Sequence, residues 1–192
     1  MRKLLKTLAA TVVCLSAAYA YGEDPYEEID GVKWYYSVTD DVATITRVSG
    51  TVPGDLVVPA TLGGNPVVTI GRAVFSYTYS NLTSITFPDS LREIVEKNFD
   101  SSPNLTNVTF GTGMEVLGYD VFADKTRILQ FTIPEGNPNF SAEGGILYSK
   151  DKTVLVRYAE SATAFEIPET VTVIGRARST TTTSPMSFST TG

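Results

Sequence analysis

Phe87, Phe110 and Ile133 stand 23 residues apart, and so do Ile85, Val108 and Phe131. Leu82 and Leu105 keep the same step, with Ile128 one period later. Phe75, Phe99 and Phe122 are 24 and 23 apart, as are Ile70, Ile94 and Leu117. Five apolar columns thus hold nearly one period over three units. A period of this length marks a stacked array, in which each unit hides its neighbour's apolar flank.

The punctuation repeats with the columns. Ile70-Gly71 returns as Leu117-Gly118 and Ile174-Gly175. Pro59, Pro88, Pro134 and Pro168 each close a short apolar stretch, with Gly111 in the slot between Pro88 and Pro134. Asn81-Leu82-Thr83-Ser84-Ile85 and Asn104-Leu105-Thr106-Asn107-Val108 are copies of one strand opening. The pattern Leu82, Ile85, Phe87 points alternate residues inward from a short strand. Pro then stops the strand, because it has no N–H for a ladder. A second extended piece near Ile94, a half-turn around Phe99 and a polar loop complete the unit. The expected architecture is a β-rich solenoid of short parallel strands.

These motifs resemble a bacterial surface family. Val58-Pro59 leading to Ile70-Gly71-Arg72-Ala73-Val74-Phe75, followed by Leu82-Thr83-Ser84-Ile85-Thr86-Phe87-Pro88, is similar to the leucine-rich repeats called BspA-like. The likeness covers roughly 55–178. It implies a leucine-rich-repeat solenoid and a role in surface adhesion or protein recognition. Three departures stand out: Val95 replaces the Gly after Ile94, Gly111 replaces a Pro, and the loop Cys of many members is missing.

The flanks read differently. Arg2, Lys3 and Lys6 precede an apolar run from Leu8 to Ala20 that ends Ala18-Tyr19-Ala20. This is the pattern of a secretory signal peptide over 1–20, cut after Ala20, and it is shorter than a membrane span. Cleavage would remove three cations and no acid, taking the net charge from −6 to −9, and would remove Cys14, the one cysteine. The mature chain would then have no disulfide, thiol nucleophile or cysteine metal site. It would be secreted or held at the cell surface without spanning the membrane. Residues 21–30 read as an acidic linker. Val32–Val38 and Val42–Val48 flank Thr39-Asp40-Asp41, a β-hairpin within a cap over 31–53. The repeats run over 54–178, and the step from Ile133 to Ile167 holds an extra hairpin in a long unit over 132–165. Residues 179–192 keep no column; they read as a Ser/Thr-rich tail or as the product of a frameshift near Arg178.

Composition removes most chemistry. The 192 residues include no His, so no Ser-His-Asp system and no His-bound zinc can form. With 15 cations against 21 acids, the chain is a poor ligand for nucleic acid. The expectation is an enzyme-free protein with no catalytic residue, metal or cofactor. Carboxylate pairs at Asp40 with Asp41, Asp89 with Glu93 and Asp120 with Asp124 leave a carbohydrate-active hydrolase as an alternative. Each pair falls on a turn or loop, where Asp serves capping and solvation. A truncated, inactive gene fragment is the other alternative. Sequons at Asn81, Asn104 and Asn107 follow from the repeat itself. If Leu82, Ile85 and Phe87 point inward, Ser84 and Thr86 point out, and their equivalents are Asn107 and Thr109, then Gln130 and Thr132. These six form the candidate binding ladder, for a protein or glycan ligand. Tyr77, Tyr79 and Tyr119 lie near loops and could add contact area.

Overall fold

The computed structural model describes residues 24–76, 79–118, 120–122, 127–158 and 167–175. The expected signal peptide and the tail over 179–192 lie outside them. The described residues contain no helix. In chain order the strands are β1 (Tyr26–Ile29), β2 (Val32–Thr39), β3 (Val42–Gly50), β4 (Asp55–Val57), β5 (Thr61–Leu62), β6 (Asn65–Ile70), β7 (Ser84–Thr86) and β8 (Glu93–Ile94). They continue with β9 (Asn107–Thr109), β10 (Val116–Leu117), β11 (Gln130–Thr132), β12 (Phe140–Glu143), β13 (Ile146–Ser149), β14 (Val154–Tyr158) and β15 (Val173–Ile174).

Each period contributes one strand to each of two walls. One wall runs β4-β7-β9-β11, all parallel, with Leu56, Ile85, Val108 and Phe131 in register. The other runs β6-β8-β10, also parallel, with Ile70, Ile94 and Leu117 in register. The one-period spacing of these residues is therefore the spacing between stacked strands. The fold is a leucine-rich-repeat β-solenoid.

Between the walls the phenylalanine columns become ring stacks. Phe99 lies between Phe75, at 4.9 Å and 12°, and Phe122, at 5.6 Å and 15°. Phe87 stacks on Phe110 at 5.5 Å. Edge-on contacts tie the two columns, Phe87 to Phe99 at 6.3 Å and Phe110 to Phe122 at 6.4 Å. Trp34 meets Phe75 edge-on at 6.5 Å and starts the spine from the N-terminal side. Such pairs add about 0.5–1.5 kcal/mol each beyond their buried area.

Backbone groups follow the same logic. The carbonyls of Gly54, Thr83 and Thr106 each accept two N–H groups from the next coil, at residues 83 and 84, 106 and 107, and 129 and 130. The Thr83 and Thr106 hydroxyls donate to the carbonyls of Gly54 and Thr83. The Ile-Gly motif has a steric cause: a Cβ on Gly118 would sit 2.6 Å from the Glu96 nitrogen of the preceding coil. Gly111, in the slot of a Pro, lies so close to Pro88 that a Cβ would be 2.3 Å from its carbonyl oxygen. Val95 departs from the motif yet still donates its N–H to Ile70.

The half-turns share a left-handed residue. Ala73, Lys97 and Asp120 each stand three positions after the wall residue Ile70, Ile94 or Leu117, with φ of 59°, 59° and 60°. A non-glycine residue in this region carries a cost of about 1–2 kcal/mol. Lys97 is exposed. Lys97→Gly is therefore expected to stabilise the fold by about 0.5–1 kcal/mol despite glycine's freer unfolded chain. Urea denaturation would show the gain as a higher midpoint, and a lower midpoint would contradict the strain.

The ends differ in part from the expectations. At the N-terminus, β2 and β3 form the expected hairpin, and β3 joins the wall through parallel pairing with β6. Its turn residues Asp40 and Asp41 have φ of 51° and 59°, as a two-residue type I′ turn requires. The segment read as an acidic linker adds β1, antiparallel to β2, through a turn at Asp30-Gly31. The long unit carries a three-stranded meander, β12-β13-β14, rather than a single hairpin, and β14 pairs parallel with β15. Strand β13 is buried on both faces: Leu147 joins the main core, while Ile146 and Tyr148 pack with Leu155 in a second cluster.

Candidate functional site

All six ladder residues lie on the β4-side wall. Ser84, Asn107 and Gln130 are in register with one another, and so are Thr86, Thr109 and Thr132. The residues between them, Ile85, Val108 and Phe131, are buried at 1%, 1% and 5% exposure. Strand alternation therefore turns the six outward. Neighbouring strands lie roughly 4.8 Å apart, and the two columns are roughly 6.6 Å apart along each strand. The result is a grid of hydroxyl and amide groups.

The grid extends one strand further than the repeat alone suggested. Strand β4 places Asp55 beside Ser84 and Val57 beside Thr86. The Ser84 hydroxyl donates to Asp55 Oδ1 at 2.7 Å. Gln130 Nε2 donates to the Thr132 hydroxyl at 3.5 Å, and Asn107 Nδ2 to the Thr106 hydroxyl at 3.3 Å. Asp55 is the one charged side chain in these two columns. Sequence reasoning missed the β4 row because Pro53-Gly54-Asp55-Leu56-Val57 lacks the Leu-Thr opening of the later units.

Three of the six paired carboxylate residues have structural work. Asp40 and Asp41 form the β2–β3 turn. Asp89 accepts the Thr112 N–H at 2.7 Å, and this bond, with the Thr112 hydroxyl, holds its carboxyl below the usual range. The Asp89 carboxylate thus ties one coil's turn to the next. Asp124, the partner expected for Asp120, lies outside the described residues. Asp151 closes a turn by accepting from the Ser149 hydroxyl and from the Thr153 N–H and hydroxyl, which also lower its carboxyl. Glu143 is lowered and Lys152 raised by their mutual hydrogen bond and attraction. Among the described residues, no three His, Cys, Asp or Glu side chains gather as a metal site.

Tyr79 packs edge-on against Phe75 at 6.2 Å and donates its hydroxyl to the Val48 carbonyl, so it anchors a loop to the cap. Tyr77 and Tyr119 lie outside the described residues. One-period ion pairs, Arg72 with Glu96 at 2.8 Å and Arg92 with Glu115 at 3.3 Å, bridge coils on the surface. Exposed pairs of this kind contribute little.

The pattern of the BspA type leucine rich repeat region matches residues 61–143 in six copies. No curated protein matches the sequence. Among solved structures, the chain is similar to the pneumococcal vaccine antigen PcpA, at 17% identity over 78% of this chain and 60% of that one, with a TM-score of 0.30. It is similar to a leucine rich cell surface protein from Faecalibacterium prausnitzii A2-165, at 18% identity over 80% of this chain and 42% of that one, with a TM-score of 0.44. A leucine-rich repeat protein from Eubacterium ventriosum ATCC 27560 gives 17% identity over 78% and 55%, with a TM-score of 0.36. The chain spans 42% to 60% of the length of these structures. The repeats over 61–143 are therefore leucine-rich repeats of the BspA type.

Proposed function

We propose that the chain is a non-catalytic binding or adhesion module, exported to the cell surface, that recognises a protein or glycan through the outer face of β4-β7-β9-β11. One observation carries the reading: two columns of outward hydroxyl and amide side chains stay in register over three coils. Over β7, β9 and β11 the grid holds neutral donors and acceptors, which suits an extended partner that repeats its own polar groups along its length. The export reading rests on the N-terminal pattern Arg2, Lys3, Lys6 and Leu8–Ala20.

A screen of the chain against glycans and host proteins, repeated with the double substitution Asn107→Ala and Gln130→Ala, tests this. Both side chains are exposed, so the fold should be kept. Binding at least about tenfold weaker with an unchanged melting temperature is the expected result. Equal binding by the variant would remove the ladder from the site. Sugar release from a glycan, lost on Asp40→Asn or Asp89→Asn, would replace the binding reading with a hydrolase.

A further inference from the structure

Among the described residues, no strand pairs with the outer edge of β4 at the end of the ladder wall. Gly54 accepts the Ser84 N–H and Val58 donates its N–H to Thr86, so residues 54, 56 and 58 turn their backbone groups toward β7. In a parallel strand the intervening residues turn theirs the other way. The N–H and C=O of Asp55 and Val57 therefore point away from β7. Among the described residues, no backbone or side-chain group bonds to them. The opposite wall is treated differently: its N-terminal edge is covered by β3, β2 and β1.

The side chains at this edge have a defined chemistry. Val57 is 69% exposed, an apolar member of a column that otherwise holds Thr86, Thr109 and Thr132. Asp55 is exposed, and both of its hydrogen bonds, from Ser84 and Thr83, land on Oδ1. A strand laid beside β4 would set one residue opposite Asp55 and another opposite Val57, two positions apart. Opposite charge favours the first pairing, and β-branched or apolar groups favour the second. Pro53 and Pro59 bracket the strand and confine the added pairing to a few residues.

We propose that the outer edge of β4 is a docking site for an extended polypeptide strand that carries a basic residue two positions from a β-branched one. The partner adds to the wall by main-chain hydrogen bonds, with Asp55 and Val57 setting its register. This site adjoins the ladder face and shares the Asp55 and Val57 row with it, but its affinity comes from backbone groups at the edge rather than from side chains of the middle strands.

The test uses the capped peptide Thr-Val-Thr-Lys-Thr-Val-Thr, in which Lys has Val two positions away on either side and so suits either strand direction. Titration followed by amide chemical shifts should move signals at residues 54–58. Asp55→Lys should weaken binding about fivefold or more, and Val57→Lys comparably. Methylating the peptide nitrogens on alternate residues should abolish binding in one phase and spare it in the other. Asn107→Ala should leave peptide binding unchanged, which separates this site from the ladder. The proposal is overturned by absent binding at millimolar peptide with the protein folded, or by binding indifferent to N-methylation. It is also overturned by self-association that Val57→Lys abolishes, which would assign the edge to a second copy of the chain.

Discussion

Phe99→Ala is expected to cost about 3–5 kcal/mol, as large-to-small substitutions of fully buried aromatics do. Phe99 is 0% exposed and sits between Phe75 and Phe122, with Phe87 against its edge. Truncation removes contacts to three coils at once. Total stability for a domain is about 5–15 kcal/mol, so the loss is a large share. A stacked array also depends on neighbour-to-neighbour coupling. The melt should therefore lose cooperativity, with the N-terminal and C-terminal coils separating. Urea denaturation read by two probes, Trp34 fluorescence for the cap side and far-ultraviolet dichroism for the whole, would show it. Phe99→Leu should cost less, because it keeps more of the volume. A loss under about 1 kcal/mol for Phe99→Ala would mean the ring is not wedged between coils.

Asn137→Leu is expected to destabilise by on the order of 3 kcal/mol or more, although it makes the sequence more regular. Asn137 stands one period after Met114 and two after Leu91, so the repeat calls for an apolar side chain there. The side chain is 0% exposed. Its amide donates to the carbonyls of Gly111, Thr112 and Met114, and its oxygen accepts the N–H groups of Asn139 and Phe140. Leucine would leave those two N–H groups and the carbonyls without this partner in a buried setting, at about 1–3 kcal/mol for each group left unsatisfied. The damage should centre on the start of β12. Hydrogen exchange at Asn139 and Phe140 would report it, and unchanged protection together with a higher melting temperature would contradict the role given to the amide.

Both residues show what a sequence of this kind reveals. Phe99 is legible because its column keeps the period, and the period is the distance between stacked strands. The six ladder positions are legible for the same reason, since alternation on a three-residue strand leaves little choice about which side chain points out. Asn137 is not legible: an Asn in an apolar column looks like an error until the carbonyls it satisfies are seen. Asn98 repeats the lesson, buried while it accepts from the Phe75 N–H and donates to Gly71 and Val95. The left-handed half-turns were hidden because Ala73 and Lys97 carry no signal for that conformation. Strand β1 was hidden by its acids; its order comes from pairing with β2 and from rings, with Tyr26 lying 5.1 Å from Tyr35 and Arg47 over the Tyr35 face at 3.7 Å. The meander was half legible, since Gly144-Gly145 marks a turn, but the start of β12 at Phe140 is held by the Asn137 oxygen, which accepts the Asn139 and Phe140 N–H groups.

The most direct check on the stacking of coils is ring-to-ring proton contact in a protein labelled at phenylalanine. Cross-peaks joining Phe99 to both Phe75 and Phe122, and Phe87 to Phe110, with none joining Phe75 directly to Phe122, are what the stacked order requires. A direct Phe75–Phe122 contact, or Phe99 isolated from both, would show that the coils do not succeed one another along the array.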